Sequence, residues 1–108
     1  MRESVKKGFD YMTYTVKQIL KLIGAKVAFY RTLRGLKQHE LADRVSMSRS
    51  NINKVERGSY NDNLSIDMLL RIAVGLNINI RMLLEISSEE ETLLKEMDLW
   101  EEQFQEFV

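Results

Sequence analysis

The segment SMSRSNINKVERG, Ser46 to Gly58, concentrates hydrogen-bonding side chains on one short stretch. Ile52 and Val55 stand at helical spacing, and around them lie Arg49, Ser50, Asn51, Asn53 and Lys54. An arginine or lysine can reach guanine O6 and N7, and an asparagine can pair with adenine N6 and N7. A helix with two inward apolar residues and this outer face has the chemistry of a reader of base edges and phosphates. Catalytic chemistry is poorly provided for. There is no cysteine, His39 is the single histidine, and the five glycines fall singly. No paired nucleophile and base, metal cluster or phosphate loop is visible, so neither an enzyme nor a cofactor is expected.

These side chains need elements to aim them. Ser48 is suited to cap a helix running from Arg49 to about Arg57, with Gly58 closing it. Before it, LKQHELADRV reads as a short helix with Leu41, Ala42 and Val45 inward, and SMS is the turn between the two. Ala42 supplies the small residue where two helices cross closely. Upstream, Ile19, Ile23, Val27 and Tyr30 follow at spacings of four, four and three, giving one helix or two abutting at Gly24. Gly35 ends that unit as a C-terminal glycine, with Arg31 and Arg34 where the helix dipole favours cations. Downstream, Ser65 caps IDMLLRIAVGL, for which the expected core face is Ile66, Leu69, Leu70, Ala73 and Leu76, and Asn79 caps IRMLLEI. Proline is absent and no run alternates cleanly, which leaves an all-α fold.

The order of these pieces carries a family resemblance. Arg31, the GL.Q.ELA pattern from Gly35 to Ala42, SRS.I...ERG from Ser48 to Gly58, and LLRIAVGL from Leu69 to Leu76 resemble the lambda-repressor-like, or Xre-type, helix-turn-helix family over roughly residues 23–84. The resemblance implies a five-helix DNA-binding domain, here 21–85; outside it the sequence itself suggests a leader or arm over 1–20 and an additional C-terminal amphipathic helix over 86–108. The resemblance implies a third helix that enters the major groove of double-stranded DNA. Arg49, Ser50 and Lys54 rank first as base contacts, with Asn51 and Asn53 behind them. Gln38 bonds a phosphate or braces the third helix, Ser48 is a cap first and a contact second, and Arg57 lies against the backbone. The family also implies a partly buried ion pair, Arg31 with Glu56. Two departures stand out: Ser46 occupies the turn position usually given to glycine, and the loop before the fourth helix is about two residues longer than the family norm. The loop residues Tyr60 and Asn61 and the leader residues Lys6 and Lys7 are weaker candidates for DNA contact.

At 108 residues the chain has room for one modest core. Its net charge of zero hides a division. Residues 1–84 hold 15 Lys+Arg against 7 Asp+Glu, and residues 85–108 hold one Lys against nine Asp+Glu. A basic body fits nucleic acid. In the acidic tail Leu93, Met97, Trp100, Phe104 and Phe107 follow at spacings of four, three, four and three, with Ile86 and the polar Glu90 preceding them on the same heptad positions. Such a stripe either packs on its own domain or forms an oligomer or partner seam. No apolar run approaches a membrane span, and the N-terminus lacks a secretory pattern, so a soluble cytoplasmic protein is expected. The leading expectation is a sequence-specific transcriptional regulator, a homodimeric repressor of a palindromic operator. The alternative is a regulator that also binds a protein partner through its tail, a layout resembling HigA-like antitoxins.

Overall fold

The computed structural model describes residues 15–59 and 64–96, and every regular element among them is helical. In chain order these are α1 (Val16–Leu33), α2 (Gln38–Val45), α3 (Arg49–Glu56), α4 (Ile66–Leu76) and α5 (Arg81–Leu84), followed by α6 over 88–96. Lys6, Lys7, Tyr60, Asn61, Met97, Trp100, Phe104 and Phe107 lie outside the described residues.

Helix α1 starts at a reciprocal cap: the Gln18 amide donates to the Thr15 hydroxyl at 3.1 Å, and the Thr15 amide donates to the Gln18 side chain at 3.0 Å. It runs unbroken through Gly24, so the two-helix option falls away. It ends where Gly35 turns left-handed at φ 71°, with the Leu36 amide on the Arg31 carbonyl and the Gly35 amide on that of Thr32. Ile23 and Val27 enter the core with Leu36, Leu41, Ala42, Val45, Ile52 and Val55, and Ile19 and Tyr30 pack against its edge.

Helix α4 corrects one expected face. Ile66 is 67% and Leu70 50% exposed, while Ile72 is fully buried beside Leu69, Ala73 and Leu76. The helix is apolar almost all round, so the contact with α2 and α1 decides its rotation. That contact selects the stripe 69, 72, 73, 76 rather than the one beginning at Ile66. The fifth helix is also shorter than IRMLLEI suggests. Asn79 accepts from the Arg81 amide at 2.9 Å, but the chain turns extended at Glu85. There the Lys26 ammonium takes the Glu85 carbonyl, and Ser87 starts a new helix by exchanging hydrogen bonds with Glu90.

Helix α6 lies on α1. Leu94, absent from the expected stripe, is 3% exposed, and its carbonyl accepts from the Gln18 side chain, whereas Leu93 is 59% exposed. Glu90, the polar interruption of that stripe, pairs with Lys26 at 3.0 Å. Burial raises the Glu90 pKa, but hydrogen bonds from the Ser87 amide, Lys26 and the Ser87 hydroxyl, with the Lys26 charge, outweigh it and hold the carboxyl below its ordinary value.

Ser46 adopts the left-handed conformation, φ 56° and ψ 44°, and the Met47 amide reaches the Ala42 carbonyl across it. A non-glycine residue there is strained by roughly 1–2 kcal/mol, of which glycine returns part as unfolded-state entropy. Ser46→Gly is therefore expected to stabilise the fold by about 0.5–1 kcal/mol, raising the melting temperature by several degrees. A lower melting temperature would show that the serine does more than fill the turn.

Candidate nucleic-acid interface

Two short helices and one tight turn build the site. The Lys37 amide donates to Glu40 at 2.9 Å at the start of α2, and the Asn51 amide donates to the Ser48 hydroxyl at 3.0 Å at the start of α3. Between them Ser46 reverses the chain and Met47 half-buries against the core. Leu41, Ala42 and Val45 of α2 face Ile52 and Val55 of α3, all five buried. With those contacts made, the remaining faces of α3 are fixed by its 100° turn per residue.

One of those faces looks outward. Ser50, Lys54 and Arg57 follow at spacings of four and three and are exposed, as are Arg49 and Ser48, while Asn51 is half-exposed. Another face looks back at α2. The Glu56 carboxylate, 6% exposed, receives Arg31 Nε at 2.6 Å and Nη2 at 3.1 Å. Arg31 Nη1 also donates to the Leu36 carbonyl at 2.7 Å. The Gln38 amide nitrogen donates to the same Glu56 carboxylate at 3.1 Å, and Asn53 donates to the Gln38 oxygen at 3.4 Å. The structure thus joins Arg31, Glu56, Gln38 and Asn53 in one chain of hydrogen bonds. It leaves Ser50 and Lys54 on the neighbouring outward face, with Arg49 exposed at the start of the helix one turn before Asn53. Gln38, Arg49, Ser50 and Asn53 line an open cleft of roughly 320 Å³ between α2 and α3.

The engagement of Asn53 was not legible in the sequence, because the Asn53–Gln38 contact crosses between helices. The basic body is also less free than its charge suggests. Arg34 donates to the carbonyls of Leu76 and Asn77, Arg44 to that of Gly75 and Arg71 to that of Val45. These arginines tie loop and helix-end carbonyls together.

A buried α2–turn–α3 unit with one polar, cationic helix face outward defines a helix-turn-helix protein. The helix-turn-helix family model matches residues 27–83, more than half the chain. The chain belongs to that family, the lambda-repressor-like or Xre type, and is a DNA-binding transcriptional regulator. It is similar to the restriction-modification controller protein C.AhdI from Aeromonas hydrophila, with 36% identity, 59% of this chain and 94% of that one covered, and a TM-score of 0.56. The hypothetical transcription factor NHTF from Neisseria shares 21% identity over 74% of this chain and 90% of its own, with a TM-score of 0.61. The clp gene regulator ClgR from C. glutamicum shares 22% over 68% and 88%, with a TM-score of 0.57. The last two likenesses concern the fold alone. No curated protein matches the sequence significantly. No helix among the described residues is long and apolar enough to cross a membrane.

Proposed function

We propose that the chain acts as a homodimeric repressor, a binding protein rather than an enzyme, that reads a palindromic operator in the cytoplasm with α3. The observation that carries this reading is the division of α3 into two polar faces. Asn53 and Glu56 turn inward to Gln38 and Arg31, Ser50 and Lys54 turn outward, and Arg49, one turn before Asn53 at the exposed start of α3, faces the cleft; among the described residues the side chains of Arg49, Ser50 and Lys54 make no hydrogen bond. On this reading Arg49, Ser50 and Lys54 meet base edges, Asn51, Ser48 and Arg57 meet the backbone, and Gln38 and Asn53 set the angle of the helix. The likeness to a restriction-modification controller protein supports a regulatory role. A helix of eight residues reads only a few base pairs. Useful specificity therefore needs two half-sites, about 34–36 Å apart.

Fluorescence-anisotropy titration of the protein against its own upstream DNA and a scrambled duplex, at two salt concentrations, tests this. The expected result is a preference for the upstream duplex and an affinity that falls steeply with salt. Arg49→Ala, shown to be folded, should lose about 1–3 kcal/mol per half-site and most of the preference. Equal binding of both duplexes, unchanged in the variant, would sink the proposal.

A further inference from the structure

The hydrogen bonds beneath α3 run in one direction, and that direction decides what their open end can meet. A side-chain amide carries an acceptor on one arm and donors on the other, so a neighbour of fixed polarity must orient it. Glu56 is that neighbour, because a carboxylate paired with a guanidinium only accepts. It receives the Gln38 amide nitrogen at 3.1 Å, which leaves the Gln38 oxygen for Asn53. Asn53 answers with its own amide nitrogen at 3.4 Å. Each acceptor is met by the donor of the next residue, and the series ends on the Asn53 oxygen. Among the described residues no hydrogen bond reaches that oxygen. Asn53 is half-buried and lines the cleft between α2 and α3 with Gln38, Arg49 and Ser50, of which the last two are exposed.

An unpaired acceptor on the wall of an open cleft selects the groups that enter it. In the major groove adenine N6 and cytosine N4 are exocyclic amines that donate, whereas guanine O6 and N7 and thymine O4 accept. Phosphate oxygens accept as well. We infer that Asn53, beyond bracing the helix, is a specificity-determining residue whose side-chain oxygen takes the exocyclic amine of an adenine or a cytosine. Gln38 and Glu56 are positioning residues that hold this polarity without touching the base. The inference rests on the reading that α3 enters the major groove, and adds to it the polarity of one contact. Without Gln38 the Asn53 amide is free to turn over and offer its nitrogen to guanine or thymine.

The full chain is used to select duplexes from a randomised pool, and the enriched duplex is titrated by fluorescence anisotropy at physiological salt. Each adenine and cytosine of the half-site is then replaced in turn by its analogue without the amine, purine or pyrimidinone. At one position the native protein should lose about tenfold in affinity, because the Asn53 oxygen is left unpaired. Guanine or thymine at that position should cost at least as much. Asn53→Ala should be indifferent to the missing amine there, and Gln38→Leu should accept guanine or thymine as readily as the selected base. A native protein indifferent to the amine at every position overturns the inference, and that outcome needs no variant to fold. An Asn53→Ala protein that still feels the loss overturns it, as does a Gln38→Leu protein that keeps the native preference. Failure to enrich any duplex overturns the reading of DNA by α3, and this inference with it.

Discussion

Gly24→Ala is expected to destabilise the protein severely, although alanine favours a helix over glycine by about 1 kcal/mol. A Cβ on Gly24 would stand 2.7 Å from the Glu56 carbonyl oxygen and closer still to that of Val55. Both are backbone atoms at the end of α3, so no side-chain rotation relieves the clash. Helices α1 and α3 would have to part where Ile23, Val27, Ile52 and Val55 pack, and that loosens the core as well as the recognition helix. Overpacking of this kind costs typically 1–3 kcal/mol and more where backbone must move. We expect a net loss of about 3 kcal/mol, a fall of ~10–20 °C in melting temperature for a domain of this size. Thermal denaturation followed by circular dichroism measures it. The sign is decisive: propensity alone predicts a rise, close helix approach a fall.

What the sequence disclosed and what it withheld divide along one line. Local chemistry was legible. Gly35 and Gly58 take left-handed backbone, Ser48 and Ser65 cap with their hydroxyls, and Leu41, Ala42 and Val45 form the inner face of α2. Each follows from neighbours within about one turn. Contacts between elements were not legible. Gly24 reads as a possible break because its reason, two carbonyls of α3, lies some thirty residues away. The periodicity favours Ile66 and Leu70 over Ile72 because α4 is apolar enough to bury any of several stripes. The heptad pattern favours Leu93 over Leu94 because it describes a seam and not the contact that α1 makes. At the candidate site the reading face was visible as residue types, but the amides of Gln38 and Asn53 were assigned their direction only by the fold. A sequence shows which groups can bond. Packing decides which of them are left to meet a ligand.

Glu56→Ala is expected to abolish DNA binding without any contact between Glu56 and DNA. The carboxylate lies 6% exposed under α3 and accepts from Arg31 twice and from Gln38 once. Removing it leaves the Arg31 guanidinium, itself only 17% exposed, with the Leu36 carbonyl as its remaining bond in this set. An uncompensated buried charge costs about 3–5 kcal/mol, a large share of the ~5–15 kcal/mol that holds a small domain together. Gln38 loses its acceptor at the same time, and Asn53 is then braced only by an unanchored amide, so α3 is freed to shift even in molecules that stay folded. Arg31→Lys should fall between the variant and the native protein, since an ammonium cannot bridge two carboxylate oxygens and a carbonyl in one plane. The decisive variant replaces both partners. Arg31→Met with Glu56→Leu removes the charges together and should be more stable than either single substitution, because neither charge is stranded. Chemical denaturation reads the stability, and anisotropy on the upstream duplex reads the binding. If the pair acts through folding, binding returns with stability in the double variant. A double variant that is stable yet silent on DNA would instead show that Glu56 holds Gln38 and Asn53 in the geometry that α3 needs, and would place the Gln38–Glu56 bond, not the ion pair, at the origin of the reading angle.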